Sequence, residues 1–203
     1  MSESVAPKSR TAFISGPIEF PDDFFATYYE PLLKEAISSG HSFVVGPAPG
    51  TDTMALKYLL DHDVELSRIT VYLTEFEERT LADRVNWFTE LGGHVKVEGV
   101  TTSDRDTAMT RDSDYDILEY MTIEEQKVFY GERYFPRVSA TEKNDRRRKG
   151  LPLHVNHGLA GYELQDSYRP ETQNSKGLGF PRPKIWKKRI EKIFSRSSTT
   201  KPE

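Results

Sequence analysis

The residues with the clearest potential for chemistry lie in a glycine- and proline-rich segment, Gly46–Asp52. Glycines let a backbone approach a ligand closely, and the start of the following helix offers free N–H groups that suit an anion. The carboxylate of Asp52 would repel an anion, so it suits helix capping or the acceptance of hydrogen bonds from sugar hydroxyls better. Taken alone, such a turn is also common as a purely structural element.

Three carboxylates follow predicted loops, and cleavage of an N-glycosidic bond needs such a group. A carboxylate beside the anomeric carbon stabilises the oxocarbenium-like transition state, and an acid can protonate the leaving base. The candidate catalytic residues are Glu19, Asp52 and Asp114. Simple solvation or capping is the competing explanation for Glu19 and Asp114.

Short apolar runs alternate with amphipathic segments, and this alternation predicts the elements that must position the candidates. It indicates an α/β fold, namely a Rossmann-like, three-layer arrangement with a parallel sheet of about five strands and helices on both faces. Right-handed crossovers bring the strand-to-helix loops to one edge, where ligands bind in open α/β sheets. The predicted strands are Thr11–Ser15, Ser42–Val45, Ile69–Leu73, His94–Val97 and Asp116–Met121.

Helical spacing of apolar residues predicts five helices between and after these strands. Pro31 is expected to kink the first one or to start a second segment. Thr122-Ile-Glu-Glu125 has the form of a capping box and is expected to open the last one. The predicted helices cover residues 23–39, 53–61, 79–91, 105–111 and 122–131.

Several short motifs resemble those of the SLOG superfamily of Rossmann-like domains. Gly46–Ala55 is similar to its Gly-x-x-x-Gly-x-Asp-x-x-Ala loop, and Ile14-Ser-Gly-Pro17 is similar to its first strand and turn. Arg105–Met109 resembles its Arg-(Asn/Lys)-x-x-Met helix, and Ser113-Asp114 the Ser/Ala-Asp that follows. These motifs occur in the expected order over about residues 11–125.

The resemblance implies a domain that binds a nucleotide or a nucleotide-derived ligand. It makes Arg105 the natural anion partner, because a guanidinium can hold a phosphate with two parallel hydrogen bonds. A surface salt bridge with a neighbouring aspartate is the competing explanation for Arg105. The ligand-binding residues implied by position are Ser15, Gly16, Pro17, Gly46, Gly50, Thr51, Arg105 and Met109.

The sequence departs from the LONELY GUY phosphoribohydrolases of that superfamily. Those enzymes carry Pro-Gly-Gly-x-Gly-Thr-x-x-Glu, whereas the corresponding stretch here, Ile117–Glu125, has no glycine. The Asp-x-Gly-x-x-x-Glu pattern of nucleoside deoxyribosyltransferases is not visible either. Two functions therefore remain open: an N-glycoside hydrolase or ribosyl/deoxyribosyl transferase, and a non-catalytic ligand-sensing or scaffold module that acts through its tail.

Charge is distributed unevenly along the 203 residues. Residues 1–136 carry 12 Lys/Arg against 25 Asp/Glu, whereas residues 137–203 carry 16 against 7. This predicts a flexible lead over residues 1–8, an acidic ligand domain over 9–136 and a basic, mostly disordered tail over 137–203, with a short amphipathic helix near 184–195. An acidic domain is unsuited to nucleic acid, and the tail is expected to bind an acidic partner or the domain itself.

Composition excludes several other classes of function. No apolar run approaches the roughly 20 residues of a membrane span, and the absence of cysteine excludes disulfides, thiolate zinc sites and cysteine nucleophiles. We predict no metal and no cofactor, a nucleotide-like small molecule as partner, and a cytoplasmic location. Nuclear import through the basic run Arg146–Lys149 and homo-oligomerisation are left open.

Overall fold

A five-stranded parallel sheet forms the centre of the computed structural model, which describes residues 9–154. Its strands are β1 (Thr11–Ser15), β2 (Ser42–Val45), β3 (Ile69–Leu73), β4 (His94–Val97) and β5 (Tyr115–Leu118). Their spatial order is β4-β3-β2-β1-β5, and every neighbouring pair is parallel. The predicted α/β class and the parallel sheet are confirmed.

Within residues 9–154, seven α-helices and two short 3₁₀ turns connect and follow the strands. The helices are α1 (Phe24–Tyr28), α2 (Glu30–Ser38), α3 (Thr51–Asp61), α4 (Glu75–Glu90), α5 (Thr102–Arg111), α6 (Ile123–Tyr130) and α7 (Ala140–Arg148). The 3₁₀ turns are Leu66–Arg68 and Gly131–Arg133. The chain breaks between α1 and α2 next to Pro31, as the sequence predicts, because proline is tolerated only in the first turn of a helix.

The direction of the crossovers divides the helices between the two faces of the sheet. From β1 to β4 the chain steps one way, so right-handed connections place α1–α4 on one face. The connection from β4 to β5 returns across the whole sheet and places α5 on the other face. The larger core lies under the first set of helices, and the smaller core consists of Phe13, Val44, Tyr72, Ala108 and Met109.

Helix α7 packs beside α5 and extends the folded domain past residue 136, where the sequence analysis ended it. Arg148 donates to both carboxylate oxygens of Asp116 at 2.8 and 3.1 Å. It also donates to the backbone carbonyls of Thr110 and Ser113 at 2.8 Å each. Helix α7 is held by such bonds and is nearly all polar. Its sequence therefore lacks the apolar periodicity from which helices are predicted.

The basic run Arg146–Lys149 is therefore part of the domain. Arg146 pairs with Glu142, Arg147 bonds to Asn144, and Lys149 pairs with Asp145. The predicted lead over residues 1–8 and the predicted helix near 184–195 lie outside the described residues. Within residues 9–154 no helix combines the length and the apolar character needed to cross a membrane.

Candidate functional site

Tyrosine and tryptophan aside, the buried polar side chains of residues 9–154 lie near one edge of the sheet, where the carboxyl ends of the strands meet. Each belongs to the end of β1 or to the first turns, cap included, of a helix that starts at this edge. Burying polar groups costs free energy unless they are paired, so their concentration in one place points to a functional site. This carboxyl-edge cluster consists of Ser15, Thr51, Asp52, Thr74, Glu77, Arg105, Asp106, Thr141, Glu142 and Asn144.

The cluster is not sealed from solvent. Nine of its ten members keep between 2 and 9 % of their surface exposed, and only Thr51 has none. The rim of the cluster is therefore the part that borders solvent. The cluster lies where open α/β sheets bind their ligands, which is beside the strand at which the chain order reverses. In this sheet that strand is β1, because it has β2 on one side and β5 on the other.

Tyr29 holds the two strands that flank this switch point. Its hydroxyl donates toward the carbonyl oxygens of Ser15 at 2.9 Å and Glu119 at 3.0 Å, and it accepts from the N–H of Glu119 at 2.9 Å. The residue is fully buried, and burial raises the pKa of its hydroxyl. The carboxyl ends of β1 and β5 are thereby kept at a fixed separation.

Arg105 lies at the centre of the cluster and is surrounded by carboxylates. Its Nη1 donates to Glu77 at 2.5 Å, and its Nη2 donates to Asp106 at 3.0 Å. Burial by itself lowers the pKa of this guanidinium, but the negative charges of Asp106, Glu77 and Asp52 outweigh that effect and raise it. The aspartate pairing weighed in the sequence analysis is present, but it is buried, and the guanidinium faces acidic side chains.

Asp52 occupies the second position of α3 and is only 8 % exposed. Burial raises the pKa of Asp52 to about 7, against the lowering effect of Arg105. Near neutral pH this carboxyl group is therefore present in both forms and can accept or donate a proton. Gly46 permits the arrangement, because a methyl group added there would lie 2.7 Å from Asp52 Oδ2 and 3.5 Å from the guanidinium carbon of Arg105.

Helix α7 contributes a residue that the sequence analysis missed. Asn144 is 2 % exposed and donates from Nδ2 to Ser15 Oγ at 2.8 Å. Arg147 donates from Nη1 to Asn144 Oδ1 at 2.6 Å. The pattern Ser139-x-x-Glu142, which begins α7 with a bond from the Glu142 N–H to the Ser139 hydroxyl, is the sequence signal that could have located this helix.

The loops after β1 and β2 are joined by hydrogen bonds and pack closely against each other beside the cluster. The N–H and the hydroxyl of Thr51 both donate to the Pro17 carbonyl, at 3.2 and 3.0 Å. Gly16 lies so close that a methyl group on it would be within 2.5 Å of three Thr51 side-chain atoms. Gly50 has a φ of +80° and lies against the backbone of Ile18. The structure thus brings the predicted glycines and their neighbours together.

A second, more open feature adjoins these loops. A pocket of about 530 Å³ lies between them and α6, with an apolar wall that includes Ile18, Phe20, Met54 and Phe129. Glu19 supplies the carboxylate of this pocket and pairs with Arg133 at 3.2 Å. Both partners are more than half exposed, so Glu19 is accessible to solvent and to a ligand.

Two candidate residues are not at this edge. Asp114 precedes β5 and lies at the opposite edge of the sheet, where its carboxylate accepts from the N–H of Thr11 at 2.7 Å. Met109 is 1 % exposed and packs in the smaller core. The expectation that Asp114 shares a pocket with Gly16 and Gly46 is therefore corrected. The cause is the long β4–β5 connection, which carries residues 109–114 along the face of the sheet to its far edge.

The described residues contain no group of three or more histidine, aspartate or glutamate side chains placed to hold a metal ion. No protein-family model, no curated protein and no solved structure matches this chain.

Proposed function

We propose that this protein binds a nucleoside or a nucleotide-derived small molecule at the carboxyl edge of its sheet, with the sugar over the carboxyl-edge cluster. One observation carries the proposal: tyrosine and tryptophan aside, the buried polar side chains of residues 9–154 gather at this edge, beside the switch point at β1. Open α/β sheets bind their ligands at such points. The resemblance of Gly46–Ala55 to the SLOG loop supports a nucleotide-type ligand.

The chemistry of the cluster fits a sugar better than a phosphate. Glu77, Asp106 and Asp52 surround Arg105, so an anion placed on the cluster would meet more negative than positive charge. A sugar hydroxyl both donates and accepts hydrogen bonds and pairs with either kind of group. The adjoining apolar pocket, which shares the β1 and β2 loops, suits the flat ring of a base.

Within this proposal, the reaction is hydrolysis of the N-glycosidic bond. Water adds to the anomeric carbon, the carbon–nitrogen bond breaks, and the base leaves with a proton. Asp52 and Glu19 are the two candidate groups near the proposed ligand position. A carboxylate stabilises the positive charge of the sugar, whereas a protonated acid assists the departure of the base. The pKa of Asp52, about 7, allows it either form near neutral pH.

The second candidate function is ligand sensing without chemistry. It is favoured by the pairing of Arg105 with Glu77, because this contact uses charged groups to hold α5 to α4. In this case the ligand would bind and dissociate unchanged.

One experiment separates the candidates. The full chain is titrated with adenosine, guanosine, cytidine and uridine, with their 5′-monophosphates, and with NAD and ADP-ribose, while released base is followed by chromatography. Binding with base release that is lost in Asp52→Asn or Glu19→Gln supports the enzyme, and binding without release supports the sensor. Asp114→Asn is the matched control at the opposite edge. Failure of every compound to bind would overturn the proposed function.

A further inference from the structure

The orientation of the Asn144 side chain follows from its neighbour on α7. Arg147 Nη1 lies 2.6 Å from one terminal atom of Asn144, and a guanidinium can only donate. That atom must therefore be the amide oxygen, and the amide nitrogen must be the atom that lies 2.8 Å from Ser15 Oγ. The donor and the acceptor ends of Asn144 are thus fixed by Arg147.

This orientation also fixes the direction of the Ser15 hydroxyl. An amide nitrogen only donates, so Ser15 Oγ is the acceptor in the bond with Asn144 and its own proton points elsewhere. Among residues 9–154 that proton has no acceptor, although Ser15 is only 6 % exposed. A buried donor without an acceptor is costly, and such a group in a native structure calls for an explanation.

A complementary acceptor lies next to it in the sheet. Ile14 and Val45 are paired across β1 and β2, so the residues that follow them, Ser15 and Gly46, are neighbours at the carboxyl edge. The Asp52 carboxyl group lies against Gly46. Side chains alternate along a strand, and Ser15 points to the face that carries α5 and α7. The Ser15 hydroxyl thus lies on the strand next to Gly46, the residue against which the Asp52 carboxyl group lies.

We propose that Ser15, held by Asn144 and Arg147, is the residue that recognises a sugar hydroxyl of the ligand, with Asp52 as the second partner of that hydroxyl. This inference rests on the proposed function and adds the subsite. The hydroxyl oxygen of the ligand accepts a hydrogen bond from the Ser15 hydroxyl, and the ligand hydroxyl in turn donates a hydrogen bond to the Asp52 carboxylate. Asn144 acts as a positioning residue, because it fixes the direction of the Ser15 proton.

The test uses the full chain with adenosine and cytidine and with the 2′-deoxy and 3′-deoxy forms of each. Calorimetric titration compares the wild type with Ser15→Ala and Asn144→Asp. In Asn144→Asp the new carboxylate still accepts a hydrogen bond from Arg147. It also accepts one from the Ser15 hydroxyl, which is then no longer free to donate to the ligand. Ser113→Ala is the matched control, since this serine bonds to Arg148 at the opposite edge. Thermal melts of each variant verify folding.

Both variants should bind the nucleoside about tenfold more weakly than the wild type, as expected for one lost hydrogen bond. For the analogue that lacks the recognised hydroxyl, the wild type should lose more than this factor, because the hydrogen bond to Asp52 is lost as well, and Ser15→Ala should bind that analogue as the wild type does. Equal weakening of Ser15→Ala toward all three sugars, or no weakening at all, would overturn the subsite while leaving the proposed function intact. If the wild type binds no nucleoside, the proposed function and the subsite fall together.

Discussion

The two edges of the sheet use the same kinds of residue in opposite ways, and a pair of aspartates shows the difference. On the way from α5 to the amino edge, Asp112 accepts bonds from Arg111, Lys96 and Tyr72, and these partners, Arg111 first, hold the pKa of its carboxyl well below the usual range. At the carboxyl edge, burial raises the pKa of Asp52 to about 7. Pairing determines the pKa of the Asp112 carboxyl group, whereas desolvation determines that of Asp52.

The same contrast separates two serines, Ser113 and Ser15. Ser113 accepts from Arg148 and donates to the Met109 carbonyl at 2.6 Å, so its hydroxyl is satisfied. The Ser15 hydroxyl has its acceptor side filled by Asn144 and its proton free among the described residues. We infer that the amino edge is built for stability, whereas the carboxyl edge keeps hydrogen-bonding capacity in reserve for a ligand.

The largest expected effect comes from Arg105→Ala, which breaks the centre of the carboxyl-edge cluster. It leaves Glu77 and Asp106 buried without their partner, and the loss of one member of a buried ion pair typically costs about 3–5 kcal/mol of unfolding free energy. Urea titration measures this loss. Arg111→Ala is the control, because Arg111 is 60 % exposed and solvent screens its ion pairs, so its removal should cost far less than that of Arg105. Equal losses in the two variants would contradict the buried role of Arg105.

A smaller loss is expected from Arg148→Ala at the amino edge. This side chain joins α7 to β5 through Asp116 and to the end of α5 through Thr110 and Ser113. Bonds of this charged kind contribute about 1.5–3 kcal/mol, and we expect a destabilisation of about 2–3 kcal/mol by urea titration. Nucleoside affinity at permissive temperature should stay unchanged. A large loss of affinity in the folded variant would show that the two edges are not independent.

Much of the fold could be predicted because β1 to β3 are short, mostly apolar runs, as buried parallel strands require. β1 to β4 have the predicted bounds, although β4, at an edge of the sheet, alternates polar and apolar residues. The starts of α4 and α5 were placed too late, although Thr74-x-x-Glu77 and Thr101-x-x-Asp104 form capping boxes that are visible in the sequence.

The candidate site could be predicted only where it follows a strand directly. Gly16, Gly46 and Asp52 do so and lie together, because parallel strands end at the same edge. Asp114 and Asn144 show the limit. The position of Asp114 depends on how far the β4–β5 connection travels, and the position of Asn144 depends on the packing of a polar helix, and neither is encoded in local periodicity.

A pH-dependent effect is expected from Asp52→Asn. The folded pKa of Asp52 lies above the usual value near 4, so between about pH 4 and pH 7 the native state binds a proton that the unfolded chain has released. The stability that Asp52 contributes is therefore full at low pH and falls as pH rises toward 7. Asparagine cannot ionise, so the variant should lack this decline.

The measurement is the unfolding free energy of both proteins at pH 4, 5, 6, 7 and 8. The unfolding free energy of the variant minus that of the wild type should rise by about 2 kcal/mol from pH 4 to pH 8. This figure is below the full effect of the pKa shift because the rim of the cluster borders solvent. All other side chains are the same in the two proteins, so their contributions cancel in the difference. A difference that stays constant with pH would mean that Asp52 ionises as an ordinary surface carboxylate does.

The smallest effect on stability is expected from Glu19→Gln in the open pocket. Glu19 and Arg133 are 55 and 68 % exposed, and solvent and salt screen an ion pair of this kind, so its loss should cost less than about 1 kcal/mol. Under the proposed function the same variant should slow base release, because glutamine cannot supply a charge or a proton. Thermal melts and chromatography on the same preparations check both statements. A melting shift as large as that of Arg148→Ala would place Glu19 among the structural contacts, and the pocket would then resemble the amino edge of the sheet more than the carboxyl-edge cluster.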